Sequence, residues 1–382
     1  MSKTIAFCWI FSLDPNNGGV ERLTLRLIKG FSNRGHNCIF ILFDLQKKKF
    51  FFEENEIINI NNFLIDKRVD IFINQNGQSD CLVRILDTEK WRGKYIICHH
   101  VEPYYLSKLY NFRHLLAEAL SRKNGITIRI AWIIRLLVYP LWKILSNKKI
   151  ARTQIRNYIH ADIYVILSLS FKVELENLLK RKNLSKLVSI PNPLSFDFKY
   201  SEVDTWEKKN EVLVVARLSE GQKRISAALK AWKIVEEIDM DGWILRIVGD
   251  GPDSDFLKQL ASRLKLKRVL FEGKQDPLPY YRTGSLFIMT SKFEGWGLTL
   301  TEAMQFGLVP IVFDSYSSLR DIVINGQNGA IVPDGNIPAF ANEVISLMRD
   351  PQQRKLLSTN AKKYIQKFSL SSVVDQWEAF FK

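Results

Sequence analysis

Apolar residues along this chain recur with two different periods, and the alternation of these periods predicts an α/β protein. In the first half, apolar runs of strand length cover residues 4–11, 38–43, 70–74, 94–98 and 163–168. Helical spacing occurs between them, most clearly over residues 19–34, which follow Gly18 and end before Gly35. Strands separated by helical segments indicate βαβ units and a parallel sheet.

A second alternating series begins at Glu211. Its strand-length apolar runs cover residues 212–216, 243–248, 269–272, 286–290, 309–313 and 329–332. Its helical patterns cover residues 224–237, 255–264, 298–305 and 371–382. Between the two series, Ile190-Pro191-Asn192-Pro193 and the polar stretch after it mark a domain boundary. We therefore predict two facing Rossmann-like domains, residues 1–190 and residues 191–366.

Composition narrows the class of protein. The 382 residues are 46% hydrophobic and 25% charged, which is typical of a folded chain with room for two domains. The four cysteines form no CxxC pair, so we expect buried thiols in a reducing compartment rather than disulfides or a zinc site. No signal-peptide pattern is visible at the N-terminus, and we expect a cytoplasmic protein.

The net charge of +15 favours an anionic partner. No acidic residue lies between Glu118 and Asp162, a segment whose basic residues are Arg122, Lys123, Arg129, Arg135, Lys143, Lys148, Lys149, Arg152 and Arg156. Residues 126–142 mix these charges with Ile, Leu and Trp, so the run is too interrupted to span a bilayer.

We expect the region from Arg122 to Arg156 to lie in the interface of an anionic membrane. The alternative is an apolar helix buried in the first domain with its charges at the rim. Nucleic acid is not an expected partner, because no nucleic-acid-binding motif appears in the chain.

The segment from Phe293 to Glu302 carries the most specific chemistry. It follows a strand-like run and leads through Gly297 into a helical run, and such a helix start presents backbone N–H groups and a positive dipole end to phosphate. Glu294 and Glu302 flank this turn, and carboxylates accept hydrogen bonds from sugar hydroxyls. We predict a nucleotide-sugar site. A glycosidase acid/base pair is the alternative, but the phosphate-type turn between the carboxylates disfavours it.

Other polar residues follow predicted strands at the edge where open parallel sheets bind ligands. Arg217 ends one strand, and with Lys223 it would neutralise a departing diphosphate; the alternative is a pair of surface cations. Gly249 ends the next strand. His99 and His100 end a first-domain strand, where a histidine would donate to a sugar hydroxyl or serve only a structural role.

The pair Gly18-Gly19 opens a helix after the first strand, which allows a phosphate to approach the backbone. The alternative is an ordinary tight turn. The chain contains no GxGxxG motif, which disfavours a dinucleotide-dependent oxidoreductase.

Two DxD strings, Asp239-Met240-Asp241 and Asp253-Ser254-Asp255, are candidates for a divalent metal. The first precedes a strand and so lies at the wrong end of the sheet, and the second stands where a helix N-cap is expected. We therefore predict no metal site.

Together these segments resemble glycosyltransferase family 4, of the bacterial surface-polysaccharide type. They are Gly18-Gly19-Val20-Glu21-Arg22, Ile190-Pro191-Asn192-Pro193, Ala216-Arg217-Leu218 with Lys223, Val248-Gly249-Asp250-Gly251-Pro252, and Glu294-Gly295-Trp296-Gly297-Leu298 with Glu302-Ala303-Met304. The resemblance covers nearly the whole chain and is strongest over residues 211–335. It implies the GT-B fold, in which a C-terminal helix, here residues 367–382, crosses back to the first domain.

The resemblance also implies a role for each matching residue. Glu294 would bind hydroxyls of the donor sugar and Glu302 those of the ribose. The backbone of Gly297 and Leu298 would hold the diphosphate, while Arg217 and Lys223 offset its charge. Lys223 lies one position later than the commonest spacing after the arginine. Gly18, Gly19 and Gly249 would also line the donor site, and His100, or else His99, would lie near the sugar.

The implied activity is retaining transfer of a hexose from a nucleoside diphosphate sugar, expected to be UDP-linked. The expected acceptor is a glycan or lipid-linked glycan in polysaccharide or lipopolysaccharide biosynthesis, with no cofactor, at the inner face of the cell membrane. A GT-B nucleotide-sugar epimerase and a non-catalytic sugar-nucleotide or membrane-binding scaffold are the alternatives. First-domain segments such as residues 44–62 match no pattern, so the sugar and the acceptor stay open.

Overall fold

The computed structural model describes residues 2–14, 18–44, 46–86, 90–104, 116, 119–120, 125–197, 207–238 and 242–381. The chain divides into two compact units, Met1–Pro193 with Leu370–Lys382 and Leu194–Ser369. Both boundaries lie three residues after those expected at 190 and 366.

The first unit contains a mostly parallel sheet. Its strands are β1 (Thr4–Trp9), β2 (Asn37–Asp44), β3 (Lys49–Phe52), β4 (Asn55–Ile57), β5 (Ile71–Asn74), β6 (Lys94–His99), β7 (Ile163–Ile166) and β8 (Leu187–Ser189). Their order is β4-β3-β2-β1-β5-β6-β7-β8. The chain moves outward from β1 through β2 and then returns to β5, so the direction of winding reverses between β1 and β5.

The helices described in the first unit cover the sheet or extend from it. They are α1 (Gly19–Asn33), α2 (Ile60–Asp66), α3 (Ile126–Leu137), α4 (Tyr139–His160) and α5 (Phe171–Leu179). The core between sheet and helices is built from alternate residues of the strands, such as Ile5 and Phe7 of β1, together with Leu23, Leu27 and Phe31 of α1. The spacing of these three α1 residues is that of one helical face.

The second unit contains a fully parallel sheet. Its strands are β9 (Glu211–Val215), β10 (Ile244–Val248), β11 (Val269–Gly273), β12 (Leu286–Met289), β13 (Val309–Asp314) and β14 (Ala330–Pro333). Its helices are α6 (Glu220–Lys223), α7 (Ile225–Glu237), α8 (Ser254–Arg263), α9 (Leu278–Thr283), α10 (Leu298–Gln305), α11 (Ile337–Arg349) and α12 (Pro351–Ile365).

The order β11-β10-β9-β12-β13-β14 places the reversal of winding between β9 and β12. In doubly wound sheets a ligand crevice opens at this reversal, outside the carboxyl ends of the strands. Arg217 and Lys223 follow β9, and Glu294 and Gly297 follow β12. The topology therefore brings the predicted second-domain residues to one edge of one sheet.

The C-terminal helix α13 (Leu370–Glu378) belongs to the first unit and packs on α1. A Cβ atom at Gly30 of α1 would lie 2.6 Å from the Val374 side chain, so the glycine permits the close approach of the two helices. Trp377 meets Phe31 edge to face at 6.3 Å, and Arg34 donates to Asp375 at 2.5 Å.

Each predicted strand is present, with ends that differ by two residues or fewer. The first sheet differs from a purely parallel one at its edge, where β3 pairs antiparallel with both β2 and β4. The β3–β4 hairpin turns through Glu53 and Glu54, whose φ values are +48° and +67°. Glycine or asparagine normally occupies such positions, which explains why the hairpin had no recognisable signal in the sequence.

Candidate functional site

Gly297 forms the turn between β12 and α10. Its φ of +89° lies in the left-handed region that glycine adopts readily, and a Cβ atom there would lie 3.2 Å from the Tyr316 hydroxyl. The first hydrogen bonds of α10 run from Leu300 N and Thr301 N to the Gly297 carbonyl, at 3.0 and 3.2 Å. The N–H groups of Leu298 and Thr299 precede these bonds and lie at the positive end of the helix dipole.

Glu294 and Lys223 form an ion pair beside this turn. Lys223 Nζ lies 2.5 Å from Glu294 Oε1, and the two side chains are only 17% and 9% exposed. The structure thus brings together two residues that lie at the ends of different strands. A phosphate and a sugar hydroxyl would each find a partner of suitable charge in this pair.

Hydrogen bonds hold the segment after β9 against the segment after β12. Thr290 Oγ1 donates to the carbonyls of Lys223 and Arg224 at 3.0 and 2.9 Å, and Lys292 N donates to the Gln222 carbonyl at 2.7 Å. Arg224 Nε donates back to the Thr290 carbonyl at 2.8 Å. The position of Lys223 therefore depends on Thr290 as well as on its own turn.

Arg224 is a structural residue that the sequence did not identify. Its φ is +49°, and its guanidinium bridges the Thr290 and Ser291 carbonyls and Asp334. The sequence did contain one indication of this role, the Lys223-Arg224 doublet. Two adjacent cations need separate partners, so the second one was a candidate for a structural contact. Arg224 fixes the turn from which Lys223 projects.

Arg217 follows β9 and is exposed. Among the described residues, no hydrogen bond or ion pair engages its guanidinium. The group is thus available to an anion near the carboxyl end of β9, and its contact with a donor diphosphate stays a prediction.

Gly249 lies where the loops after β9 and β10 cross. A Cβ atom at Gly249, whose φ is +137°, would lie 1.9 Å from the Ala216 carbonyl oxygen. Leu218 N donates to the Asp250 carbonyl at 2.9 Å, which closes the crossing. This packing accounts for the glycine, and its predicted donor contact stays a prediction.

Asp253 is the residue before the first residue of α8, as expected for the second DxD string. Its carboxylate accepts from Glu220 N at 2.8 Å instead of capping its own helix. The other DxD string, residues 239–241, lies outside the described residues.

Glu302 lies on the inner face of α10 and is 0% exposed. Ser195 Oγ donates to one of its oxygens at 2.7 Å and the Tyr281 hydroxyl to the other at 2.9 Å. The sequence did not predict these two hydrogen-bond donors, because Ser195 and Tyr281 lie far from Glu302 along the chain. A ribose would have to compete with them, and the ribose contact stays a prediction.

Gly18 precedes α1 in an extended conformation, and Gly19 is the first residue of the helix. The Glu21 carboxylate is close by: a Cβ atom at Gly18 would lie 2.6 Å from its Oε2. Glu21 also accepts from Trp9 Nε1 at 3.2 Å. The helix start is thus next to a carboxylate, and a phosphate there would compete with it. The predicted donor contact of both glycines is not tested by this geometry.

The two adjacent histidines have different surroundings. His99 is the last residue of β6 and is 2% exposed, and burial lowers its pKa to about 4. His100 is half-buried, with Nε2 2.6 Å from Oε1 of Gln75 at the end of β5. Burial and the neighbouring His99 lower its pKa to about 3, so both imidazoles are neutral near pH 7.

The helices α3 and α4 carry the basic, apolar region. Within α3, all of which the structure describes, no residue is buried, so the alternative of a buried apolar helix is wrong for this segment. Its exposed side chains include Ile126 at 75% and Leu137 at 78%, and those of α4 include Leu141 at 58%. None of the described helices combines the length and hydropathy needed to cross a bilayer. Arg122 and Lys123 lie outside the described residues.

Residues 197–364 match the family model described as glycosyl transferases group 1. Over 172 residues, the chain is 30% identical to the poly(glycerol-phosphate) alpha-glucosyltransferase of Bacillus subtilis, covering 44% of this chain and 25% of that protein. Over 221 residues it is 25% identical to an alpha-1,4-N-acetyl-D-galactosaminyltransferase of Campylobacter jejuni, covering 58% of this chain and 60% of that protein. The name of the second relative includes a PP-undecaprenol-linked glycan. The chain thus spans about a quarter to three fifths of these relatives.

Among solved structures, Alr3699/HepE of Anabaena in complex with UDP and glucose matches 99% of this chain and 98% of that chain. The TM-score is 0.68 and the identity 17%, a likeness that shows the fold alone. Together with the two Rossmann-like sheets, it confirms the predicted GT-B fold.

Proposed function

We propose that this chain, whose residues 197–364 match the family model described as glycosyl transferases group 1, moves a hexose from a nucleoside diphosphate sugar to an acceptor hydroxyl. The observation that carries the proposal is the Lys223–Glu294 pair beside the Gly297 turn, at the winding reversal of the second sheet. Uridine is the proposed base, because the Anabaena structure of the same fold holds UDP.

The chemistry of the leaving group supports this assignment. Cleavage of the bond between sugar and diphosphate leaves an extra negative charge on the diphosphate, which must be stabilised as it forms. Arg217, Lys223 and the N–H groups at the start of α10 follow the neighbouring strands β9 and β12, and they would supply positive charge at one edge of the sheet. The proposal therefore needs no metal ion or cofactor.

The carboxylates are assigned to hydroxyls. Glu294 would accept from the transferred hexose once Lys223 turns to the phosphate, and Glu302 would accept from the ribose. Gly18, Gly19, Gly249 and His100 remain proposed donor contacts, on the resemblance alone.

We propose front-face attack with retention of configuration. The acceptor oxygen forms the new bond to the anomeric carbon as the bond from that carbon to the diphosphate oxygen breaks. The acceptor proton passes to the departing diphosphate oxygen. The enzyme then acts by holding the reactants in position and by stabilising the leaving charge.

The acceptor is proposed to be a glycan or lipid-linked glycan of surface-polysaccharide assembly, as the names of the two relatives suggest. The exposed apolar residues of α3 and α4 lie among basic residues, a combination that favours the surface of an anionic bilayer. We propose peripheral attachment at the inner face of the cell membrane.

A donor screen tests the proposal. The purified chain is incubated with UDP-, GDP- and ADP-linked hexoses and N-acetylhexosamines, without acceptor and with EDTA, and nucleotide release is measured. Slow release from one donor is expected. Release from no donor, with or without a membrane extract as acceptor source, would overturn the proposal. If release occurs only when magnesium replaces EDTA, the metal-independent mechanism is wrong. Conversion of a donor into its sugar epimer would identify an epimerase instead.

A further inference from the structure

The first unit contains a cavity of about 210 Å³ between the end of β6 and the helix α4. Its lining includes His99 and Glu102, at and just after the end of β6, and Trp142, Ser146, Lys149 and Gln154 of α4. Nothing in the proposed donor chemistry uses Glu102, Trp142 or Ser146. The cavity therefore offers side chains that the donor proposal leaves without a role.

The inner side of this cavity is polar and buried. Glu102 is 1% exposed and His99 is 2% exposed. The carboxylate of Glu102 is a hydrogen-bond acceptor, and a neutral imidazole offers one donor and one acceptor. Groups of this kind fix the orientation of a ligand with several hydroxyls.

The outer side comes from one face of α4. Trp142, Ser146, Lys149 and Thr153 recur at intervals of three and four residues, so they share a face of the helix. Trp142 supplies a flat apolar surface of the kind that packs against the C–H face of a sugar ring. Lys149 supplies a positive charge on the same wall.

The volume limits the ligand. At about 30 Å³ per water molecule in the liquid, the cavity holds the equivalent of roughly seven waters, room for one sugar ring rather than an oligosaccharide.

The helix α4 also presents exposed apolar side chains close to the cavity. Leu141 is 58% exposed and Ile144 is 53% exposed, and both lie within two residues of Trp142 along the same helix. Apolar side chains of this exposure suit acyl or prenyl chains, and Lys149 suits a phosphate between lipid and sugar.

The geometry points to this cavity as the acceptor site, binding one sugar that is joined through phosphate to a lipid chain. This inference rests on the proposed function, since it names the substrate class of the same reaction. Glu102 and His99 orient the sugar, Trp142 stacks on it, and Lys149 binds the phosphate.

Binding is tested directly and without turnover, using three probes on the full chain. They are farnesyl diphosphate-linked N-acetylglucosamine, farnesyl diphosphate without sugar, and octyl glucoside without phosphate. The linked sugar is expected to bind at least tenfold more tightly than either partial probe. Equal affinity for farnesyl diphosphate with and without the sugar would overturn the inference, because a lipid-headgroup site alone would explain it.

Variants locate the site. Ser146→Phe fills the cavity and should weaken binding of the linked sugar at least tenfold, and Glu102→Gln, which keeps the shape, should weaken it about threefold to tenfold. Ile159→Phe adds the same ring to α4 at an exposed position away from the cavity and is the matched control. Unchanged affinity in both cavity variants, with circular dichroism spectra like the wild type, would overturn the assignment. Failure of the donor screen with intact probe binding would instead contradict the proposed reaction.

Discussion

Lys223 Nζ lies 2.5 Å from Glu294 Oε1, so two residues that the proposed reaction assigns to different parts of the donor form an ion pair with one another. A ligand that binds only one of these side chains gains little binding free energy, because the other is then left largely buried without its charged partner. A diphosphate that carries a sugar replaces both partners at once. We therefore expect the pair to favour the intact donor over free phosphate or free sugar.

We expect Glu294→Ala and Arg217→Ala each to lower kcat/KM for transfer at least 100-fold. Removing a group that stabilises developing charge typically costs about 3 kcal/mol or more of transition-state stabilisation. Initial rates with the donor found in the screen measure the effect. Arg263→Ala, an exposed arginine on α8, is the matched control and should retain full activity. Turnover like the wild type in both site variants would rule out the assignment.

We expect Glu302→Gln to destabilise the second unit by about 1–3 kcal/mol, because an amide group would meet the Ser195 and Tyr281 hydroxyl donors with only one acceptor oxygen. Tyr281→Phe should cost less, since it removes only one donor. Urea unfolding measures both. If Glu302 also binds ribose, donor KM rises in Glu302→Gln beyond the rise in Tyr281→Phe; equal KM values would limit Glu302 to a structural role.

We expect Gly249→Ala to destabilise the second unit strongly, because the new Cβ atom would lie 1.9 Å from the Ala216 carbonyl oxygen. Gly335 provides the control: its φ is +75°, and a Cβ atom there meets nothing within 4 Å. Gly335→Ala should cost only the backbone strain, about 1–2 kcal/mol. The difference between the two losses of unfolding free energy measures the steric cost of a Cβ atom where the loops after β9 and β10 cross. Equal losses would show that the loops separate easily.

We expect the first unit to lose stability as the pH falls from about 6.5 towards 4. Burial lowers the pKa of His99 to about 4, so the unfolded chain binds a proton in this window while the folded chain does not. Stability therefore rises with pH across the window, by up to about 1.4 kcal/mol per pH unit for one such group. Unfolding free energies of wild type and His99→Gln at pH 7, 6 and 5 give the slopes. The same slope in both would contradict a neutral buried His99.

We expect Arg129→Glu, Arg135→Glu and Lys143→Glu, combined in one variant, to reduce cosedimentation with phosphatidylglycerol vesicles at least 100-fold. Each basic residue near an anionic surface contributes about 1 kcal/mol, and reversal adds repulsion. Binding should also weaken as salt rises.

The control for this variant changes the same number of charges in the second unit. Lys258→Glu, Arg263→Glu and Lys267→Glu replace exposed cations there and should leave vesicle binding within about twofold of wild type if α3 and α4 form the contact. Equal losses in both variants would mean that net charge, not the helices, governs attachment.

Eleven of the fourteen strands that the structure describes were predicted, because each is a short apolar run between turn residues, and the alternating helices indicated parallel pairing. The three-residue strand β8 was too short for such a run to be recognised. The β3–β4 hairpin was not predicted, since Glu53 and Glu54 occupy positions that usually carry glycine or asparagine. A local sequence pattern predicts a tight hairpin only when glycine, asparagine or aspartate occupies the turn positions with positive φ.

The placement of Glu294, Lys223 and Gly297 at one sheet edge could be predicted, because the carboxyl ends of neighbouring parallel strands share an edge. The partners that fix them could not: Ser195 and Tyr281 reach Glu302 from segments far apart in sequence, and Arg224 was hidden by its neighbour Lys223. The different surroundings of His99 and His100 depend on where the strand ends, since adjacent residues point to opposite faces of a strand, and the apolar run alone did not fix this register.

The packing of α13 on α1 also bears on the order of events during synthesis. Val373, Val374 and Trp377 are part of the first unit's core, yet the ribosome makes them after the whole of residues 194–369. The second unit is continuous in sequence, so all of its residues are synthesised before the last residues of the first unit. We expect it to fold before the first unit is complete, so that residues 1–193 wait, with an apolar face of α1 uncovered, for α13 to emerge.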